Sequence, residues 1–170
     1  QLDVLKFLDN FRKIDSNFLC YFVGGPSGKS GDDYLIQLKD NVKELNLESN
    51  TEFLGNLTQI KIKELMNRSK LLIHTSHFET FGLVAIEANT MGVPVLTTNQ
   101  GPLSEIRENN VNGYLTEGLI NSQVNNFVKN LLNDDKQFQK FQMNCHEKSK
   151  KFDWKSTAKE LENLYNSALI

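Results

Sequence analysis

Apolar side chains return along this chain in two rhythms that take turns. Leu2, Leu5, Phe7, Leu8, Phe11 and Ile14 recur at helical spacing, so the sequence opens inside an amphipathic helix. Residues 18–23 form a compact apolar run stopped by Gly24-Gly25-Pro26, the pattern of a buried strand ending in a tight turn. Asp32 or Asp33 is placed to cap a following helix that carries Leu35, Leu38, Val42 and Leu45 on one face. A strand over 51–54 closes at Gly55, and helix 60–68, strand 71–74 and helix 83–91 follow. Gly92 is placed to end that helix in the left-handed conformation. Pro94 sits near the start of a strand over 93–98, where proline is tolerated. A short helix at 102–107, a strand at 112–116 and three helices at 121–133, 135–150 and 155–168 complete the pattern.

Short strands separated by single helices predict an α/β fold, a Rossmann-like parallel sheet with helices on both faces. The last three helices read as a helical C-terminal extension of the same domain. In such a sheet ligands collect beyond the carboxyl ends of the strands. That places the loops at 24–32, 55–59, 75–82 and 99–104 along the ligand edge. The length of 170 residues fits one domain. Nineteen Lys and Arg against twenty-one Asp and Glu leave a net charge of -2, which removes the electrostatic reason to expect nucleic acid. The longest apolar run has six residues, too few to span a bilayer. Cys20 and Cys145 lie far apart and form no disulfide framework or zinc knuckle, which fits a reducing, cytoplasmic compartment.

Three stretches carry candidate chemistry. Gly24-Gly25-Pro26-Ser27-Gly28-Lys29-Ser30 invites comparison with a phosphate-binding loop, but that loop needs a glycine where Val23 stands. It reads instead as a turn that leaves a strand and borders the ligand edge. His74, His77 and Glu79 gather two imidazoles and a carboxylate, a conceivable metal site. They lack helical pairing and a second acid cluster, so a polar loop is the better account and no metal is expected. Residues 76–91 are the most informative: the chain enters a helix near Gly82, where the missing side chain lets backbone approach a ligand closely. The first free N–H groups of that helix make a ready anion site. Glu79 in the loop and Glu87 inside the helix could accept from hydroxyl groups of one extended ligand, a sugar or ribose. The plainer alternative is two solvated acids that complement the helix dipole.

The run Glu79-Thr80-Phe81-Gly82-Leu83-Val84-Ala85-Ile86-Glu87, with Met91-Gly92-Val93-Pro94-Val95 behind it, resembles the paired-glutamate signature of the retaining family 4 glycosyltransferases. Asn99-Gln100-Gly101-Pro102-Leu103-Ser104-Glu105-Ile106, Asn112-Gly113-Tyr114-Leu115 and Phe152-Asp153-Trp154 resemble further segments of that family, in order. Gly24-Gly25-Pro26-Ser27-Gly28 is most similar to the branch containing inositol-phosphate N-acetylglucosaminyltransferases and sucrose-phosphate synthases. The resemblance covers nearly the whole chain and identifies it with the C-terminal, donor-binding half of a GT-B enzyme. It implies transfer of a sugar from a nucleotide-diphosphate donor with retention, without a metal or other cofactor. Glu79 is implied as the catalytic residue that contacts the donor sugar and Glu87 as the one that binds ribose. Phe81, Gly82, Leu83 and Val84 are implied to face sugar and diphosphate through their backbone, and Gly24, Gly25, Phe53 and Leu57 to complete the donor site. The Gly-Gly-Pro branch tilts the donor towards a UDP-sugar.

Two departures shape the expectation. The family's diphosphate-binding Arg and Lys stand on a first strand and loop that this sequence lacks, and Lys29 and Arg107 are not at matching positions. Pro102 replaces the second glycine of a Gly-Gly pair. Residues 1–170 are thus expected to be a donor-binding domain truncated at its N-terminus, without the acceptor-binding domain and with little transferase activity alone. Acceptor binding, and any peripheral membrane contact, would belong to the missing part. The alternatives are a non-catalytic nucleotide-binding or scaffolding domain on the same fold, or an unrelated regulatory α/β domain.

Overall fold

The alternation of apolar rhythms becomes an alternation of helices and strands. The computed structural model describes residues 1–76, 79–99, 103–106 and 108–168, with Ser104 and Glu105 through their backbone only. The order is α1 (Leu2–Arg12), β1 (Cys20–Val23), α2 (Gly28–Glu44), β2 (Thr51–Gly55), α3 (Gln59–Asn67), β3 (Leu72–His74) and α4 (Leu83–Thr90). Then come β4 (Val95–Thr98), α5 (Leu103–Ile106), β5 (Gly113–Thr116), α6 (Ser122–Asn133), α7 (Asp135–Ser149), a 3-10 turn (Lys150–Phe152) and α8 (Trp154–Ala168).

Among the described residues all strand pairs are parallel, as expected, and they form two sheets and not one: β1 with β2, and β3-β4-β5 in that order. Among the described residues β1 pairs only with β2 and β3 only with β4, so each keeps an unpaired edge. One core nevertheless spans both sheets. Val4, Leu5, Phe7, Leu8 and Phe11 of α1 meet Leu38 and Val42 of α2, Leu96 of β4 and the apolar stripe of α6, with Phe22 of β1 and Ile73 of β3 packed against them. A second, smaller core joins Ala85 and Ala88 of α4 to Val95 of β4 and Leu103 of α5. Val95 and Leu96 are neighbours on one strand, so their side chains leave it in opposite directions. The two cores therefore lie on opposite faces of β4, with α1 and α6 on one side and α4 and α5 on the other.

The start of α2 corrects the expected cap. The helix begins at Gly28, behind an extended Ser27, and not at Asp32 or Asp33, which lie exposed beyond its first turn. A side chain at Gly31 would come within 3.1 Å of the Pro26 backbone, so glycine there lets the first turn fold back on the preceding bend. Gly28-Lys29-Ser30 thus belongs to the helix. Gly92 does what its position predicts: at φ +75° it follows the end of α4, and the Val93 N–H bonds back to the Ala88 carbonyl at 2.8 Å. Both cysteines are free, and burial pushes the Cys20 thiol up to about 12, far from reactivity at neutral pH. Among the described residues no helix is long and apolar enough to cross a membrane.

Candidate functional site

The site residues fall into two clusters, one after β1 and β2 and one between β3 and α4. In the first, the Gly24 N–H extends the parallel ladder to the Gly55 carbonyl at 2.8 Å. The chain then bends at Gly25, where an added Cβ would fall 2.6 Å from the Asn56 side-chain nitrogen. The β1–α2 and β2–α3 loops thus lie side by side, with the exposed Asn56 side chain against Gly25. Leu57 is half-buried on the second of these loops. Phe53 is half-buried on β2, its ring stacked on Phe22 with centroids 4.9 Å apart and packed against the main core.

The second cluster is built around Gly82, the N-cap of α4, at φ +82°. That left-handed φ favours glycine, and a Cβ there would also lie 2.7 Å from Leu103 Cδ2 and 3.3 Å from Ile106 Cδ1, pressing on the side chains of α5. Glu79 folds back on the turn. Its Oε1 accepts the N–H groups of Thr80 at 3.0 Å, Phe81 at 3.2 Å and Gly82 at 2.9 Å. Its Oε2 lies 2.9 Å from His74 Nε2 at the end of β3. The Gly82 N–H first, then His74 and the Phe81 N–H, hold the Glu79 carboxyl below its ordinary range. The carboxylate is charged at neutral pH, and its three amide bonds weaken only when acid protonates it through that lowered range.

This arrangement revises which amides are open. Phe81 and Gly82, expected to face a diphosphate, have given their N–H groups to Glu79. Among the described residues the N–H groups of Leu83 and Val84 have no protein acceptor, and both side chains are exposed. The half-exposed Phe81 ring stands edge-on to Phe152, centroids 6.4 Å apart, which brings the C-terminal extension to the rim of this cluster. Glu87 is exposed on α4, one helical face beyond the entry.

Among the described residues no three His, Cys, Asp or Glu side chains converge as metal ligands. His77 of the conceivable metal trio, the 100–102 stretch with Pro102, and Arg107 lie outside the described residues. The pairing of His74 with Glu79 is a contact that the sequence pattern does not predict; its local signal is a histidine closing a strand five residues before an acid. Also unanticipated is a buried polar junction behind α4. Asn112 Nδ2 donates to Asn89 Oδ1 at 2.8 Å and to the Ile106 carbonyl at 2.9 Å, and Asn89 Nδ2 donates to the Val93 carbonyl at 2.9 Å. It pins α4 two residues beyond Glu87.

The chain matches the family described as "Glycosyl transferases group 1" over residues 2–152. It is 29% identical over 160 residues to the D-inositol 3-phosphate glycosyltransferase of Corynebacterium glutamicum, covering 93% of this chain and 37% of that protein. The Nocardia farcinica protein of the same name is 31% identical over 149 residues, covering 86% and 32%. The chain thus spans about a third of these relatives. Among solved structures, Anabaena HepE in complex with UDP superposes with a TM-score of 0.81 at 26% identity, covering 95% of this chain and 44% of HepE. The C-terminal domain of a group 1 glycosyl transferase from Francisella tularensis shares the fold, with a TM-score of 0.77 at 23% identity, covering 89% and 78%. With the paired glutamates, the glycine-entered helix and the parallel strands in place, this chain belongs to the glycosyl transferases group 1 family.

Proposed function

We propose that the chain is the donor-binding domain of a retaining GT-B glycosyltransferase and holds a nucleotide-diphosphate sugar at the entry of α4. The observation that carries this reading is the entry itself: the open N–H groups of Leu83 and Val84 stand beside a charged, fixed Glu79, with Glu87 further along the same helix. Helix-start amides suit a diphosphate, and they stabilise the charge that grows on it as the glycosidic bond breaks. Glu79 accepts from the donor sugar and Glu87 from the ribose hydroxyls, since carboxylates are pure acceptors for such groups. Gly24, Gly25 and Leu57 border the base. HepE was crystallised with UDP and with UDP-glucose, which supports a uracil base. No metal is required in this reading, and two free thiols fit a cytoplasmic setting.

The unpaired edges of β1 and β3 support a domain completed from outside the chain. In this reading residues N-terminal to α1 in the full-length protein supply a parallel strand between them, joined to β1 through α1 by the usual right-handed crossover. The remainder of the protein binds and orients the acceptor.

Calorimetric titration of the full-length protein with UDP, GDP and ADP tests the reading. Glu87→Ala, at an exposed position, is expected to weaken UDP about tenfold or more, the loss of a hydrogen bond to a charged group, with an unchanged melting temperature. Equal affinity would remove Glu87 from the ribose. Nucleotide binding without sugar transfer would favour a non-catalytic nucleotide-binding domain.

A further inference from the structure

We propose that His74 is a positioning residue for sugar transfer: it locks the Glu79 carboxylate to the end of β3 and so fixes the oxygen that meets the donor sugar. This rests on the reading of Glu79 given above and adds a residue to it. Glu79 sits on a loop between β3 and α4, not on a regular element. The three amides that hold its Oε1 belong to the very next residues, so they fix the carboxylate to the loop and not to the sheet. His74 supplies the missing reference. It is the last residue of β3, paired in register with the fully buried Thr97 of β4. Its Nε2 lies 2.9 Å from Glu79 Oε2, and the two side chains are 18% and 19% exposed. Two anchors on two oxygens stop the carboxylate from turning. A carboxylate oxygen accepts more than one donor, so Oε2 can accept from His74 and still accept a sugar hydroxyl. Without the imidazole, Oε2 is free to rotate away while Oε1 stays capped.

The role predicts a division that a purely structural residue would not produce. In the full-length protein, His74→Leu is expected to lower kcat/KM for the nucleotide sugar roughly ten- to a hundredfold, the scale of a misplaced reacting group, while the affinity for the free nucleoside diphosphate stays within about twofold. His74→Gln, whose amide nitrogen reaches as far as Nε2 and can donate, is expected to restore most of the rate. A carbon-detected titration of Glu79 reads the contact without activity: in His74→Leu its carboxyl should titrate at higher pH than in the unaltered protein, and in His74→Gln it should move back. If His74→Leu keeps full kcat/KM, or Gln fails to restore it while the protein remains folded by its melting curve, His74 has no positioning role. Glu79→Gln separates the two layers: full activity in that variant overturns the reading of Glu79 itself, whereas a deficient Glu79→Gln beside a fully active His74→Leu overturns only the inference about His74.

Discussion

Gly113→Ala should destabilise this protein by about 3 kcal/mol or more, at or above the upper end of what overpacking usually costs. An alanine Cβ at that position would lie 2.2 Å from the Val95 carbonyl oxygen and 3.0 Å from the Val95 carbonyl carbon and nitrogen. These are backbone atoms of β4, the middle strand of its sheet, held between β3 and β5 and fully buried at Val95. Nothing flexible can yield. Relief requires β5 to part from β4 where Gly113 and Val95 are paired. Gly118→Ala is the matched control, because a Cβ there meets nothing within 4 Å, and its effect should stay within about 0.5 kcal/mol. Urea midpoints at constant slope measure both. A Gly113→Ala protein as stable as the control would mean that the close approach of the two strands is absent in solution.

Much of the architecture was legible because burial has a period. The helical spacing from Leu2 to Phe11 put α1 on the core, and Gly82 and Gly92 bracketed α4 through the left-handed conformations only glycine takes easily. The candidate site was legible for the same local reason: a glycine before a helix announces open amides, and acids on either side of it announce acceptors. What periodicity does not carry is partnership across the chain. Alternation shows that a residue such as Phe53 faces one side of a short strand. That its partner is Phe22, directly opposite in register, depends on a strand thirty residues away. The division into two sheets is likewise a matter of which edges find a neighbour, and edge pairing leaves no mark on hydrophobic spacing. The occupied amides of Phe81 and Gly82 are hidden from the sequence for a different reason. Glu79 has just enough reach to cap the turn that follows it, and a carboxylate that could serve a ligand serves the backbone first.

That capping changes how the two glutamates divide their work. Glu79 organises the turn it sits in, so its substitution should disturb the helix entry as well as any sugar contact. Glu87 is exposed on an otherwise well-anchored helix and can be removed with little effect on the turn. Loss of nucleotide affinity in Glu87→Ala is therefore the cleaner report on binding, and His74→Leu the cleaner report on Glu79, since it leaves the three amide bonds in place.

The anchoring of α4 itself can be tested at Asn112, which is 1% exposed and faces Asn89, 2% exposed, on that helix. Asn112→Leu keeps the bulk but removes the Oδ1 acceptor of the Glu108 N–H at 2.9 Å, together with one donor each to Asn89 Oδ1 and the Ile106 carbonyl. The two lost hydrogen bonds in the buried junction cost about 1 kcal/mol each, for a total of about 2 kcal/mol. Nucleotide affinity should fall as well, because the junction fixes the helix that carries Glu87. Asn112→Asp gives the sharper result. It keeps the acceptor for Glu108 but turns a carboxyl oxygen towards two acceptors, Asn89 Oδ1 and the Ile106 carbonyl, in a buried site. Burial and facing acceptors both disfavour the charged form, so the folded-state pKa rises above the unfolded value of about 3.9. The folded variant then binds a proton more tightly than the unfolded chain, and its stability falls as pH rises through the interval between those two values. Protonated, the carboxyl can donate to one of the facing acceptors and replace part of what was lost. Urea unfolding of Asn112→Asp should therefore show a smaller loss, relative to the unaltered protein, at pH 4 than at pH 8. A loss that does not change with pH would mean that the side chain at position 112 does not face acceptors, and that the Asn112 side chain does not anchor α4.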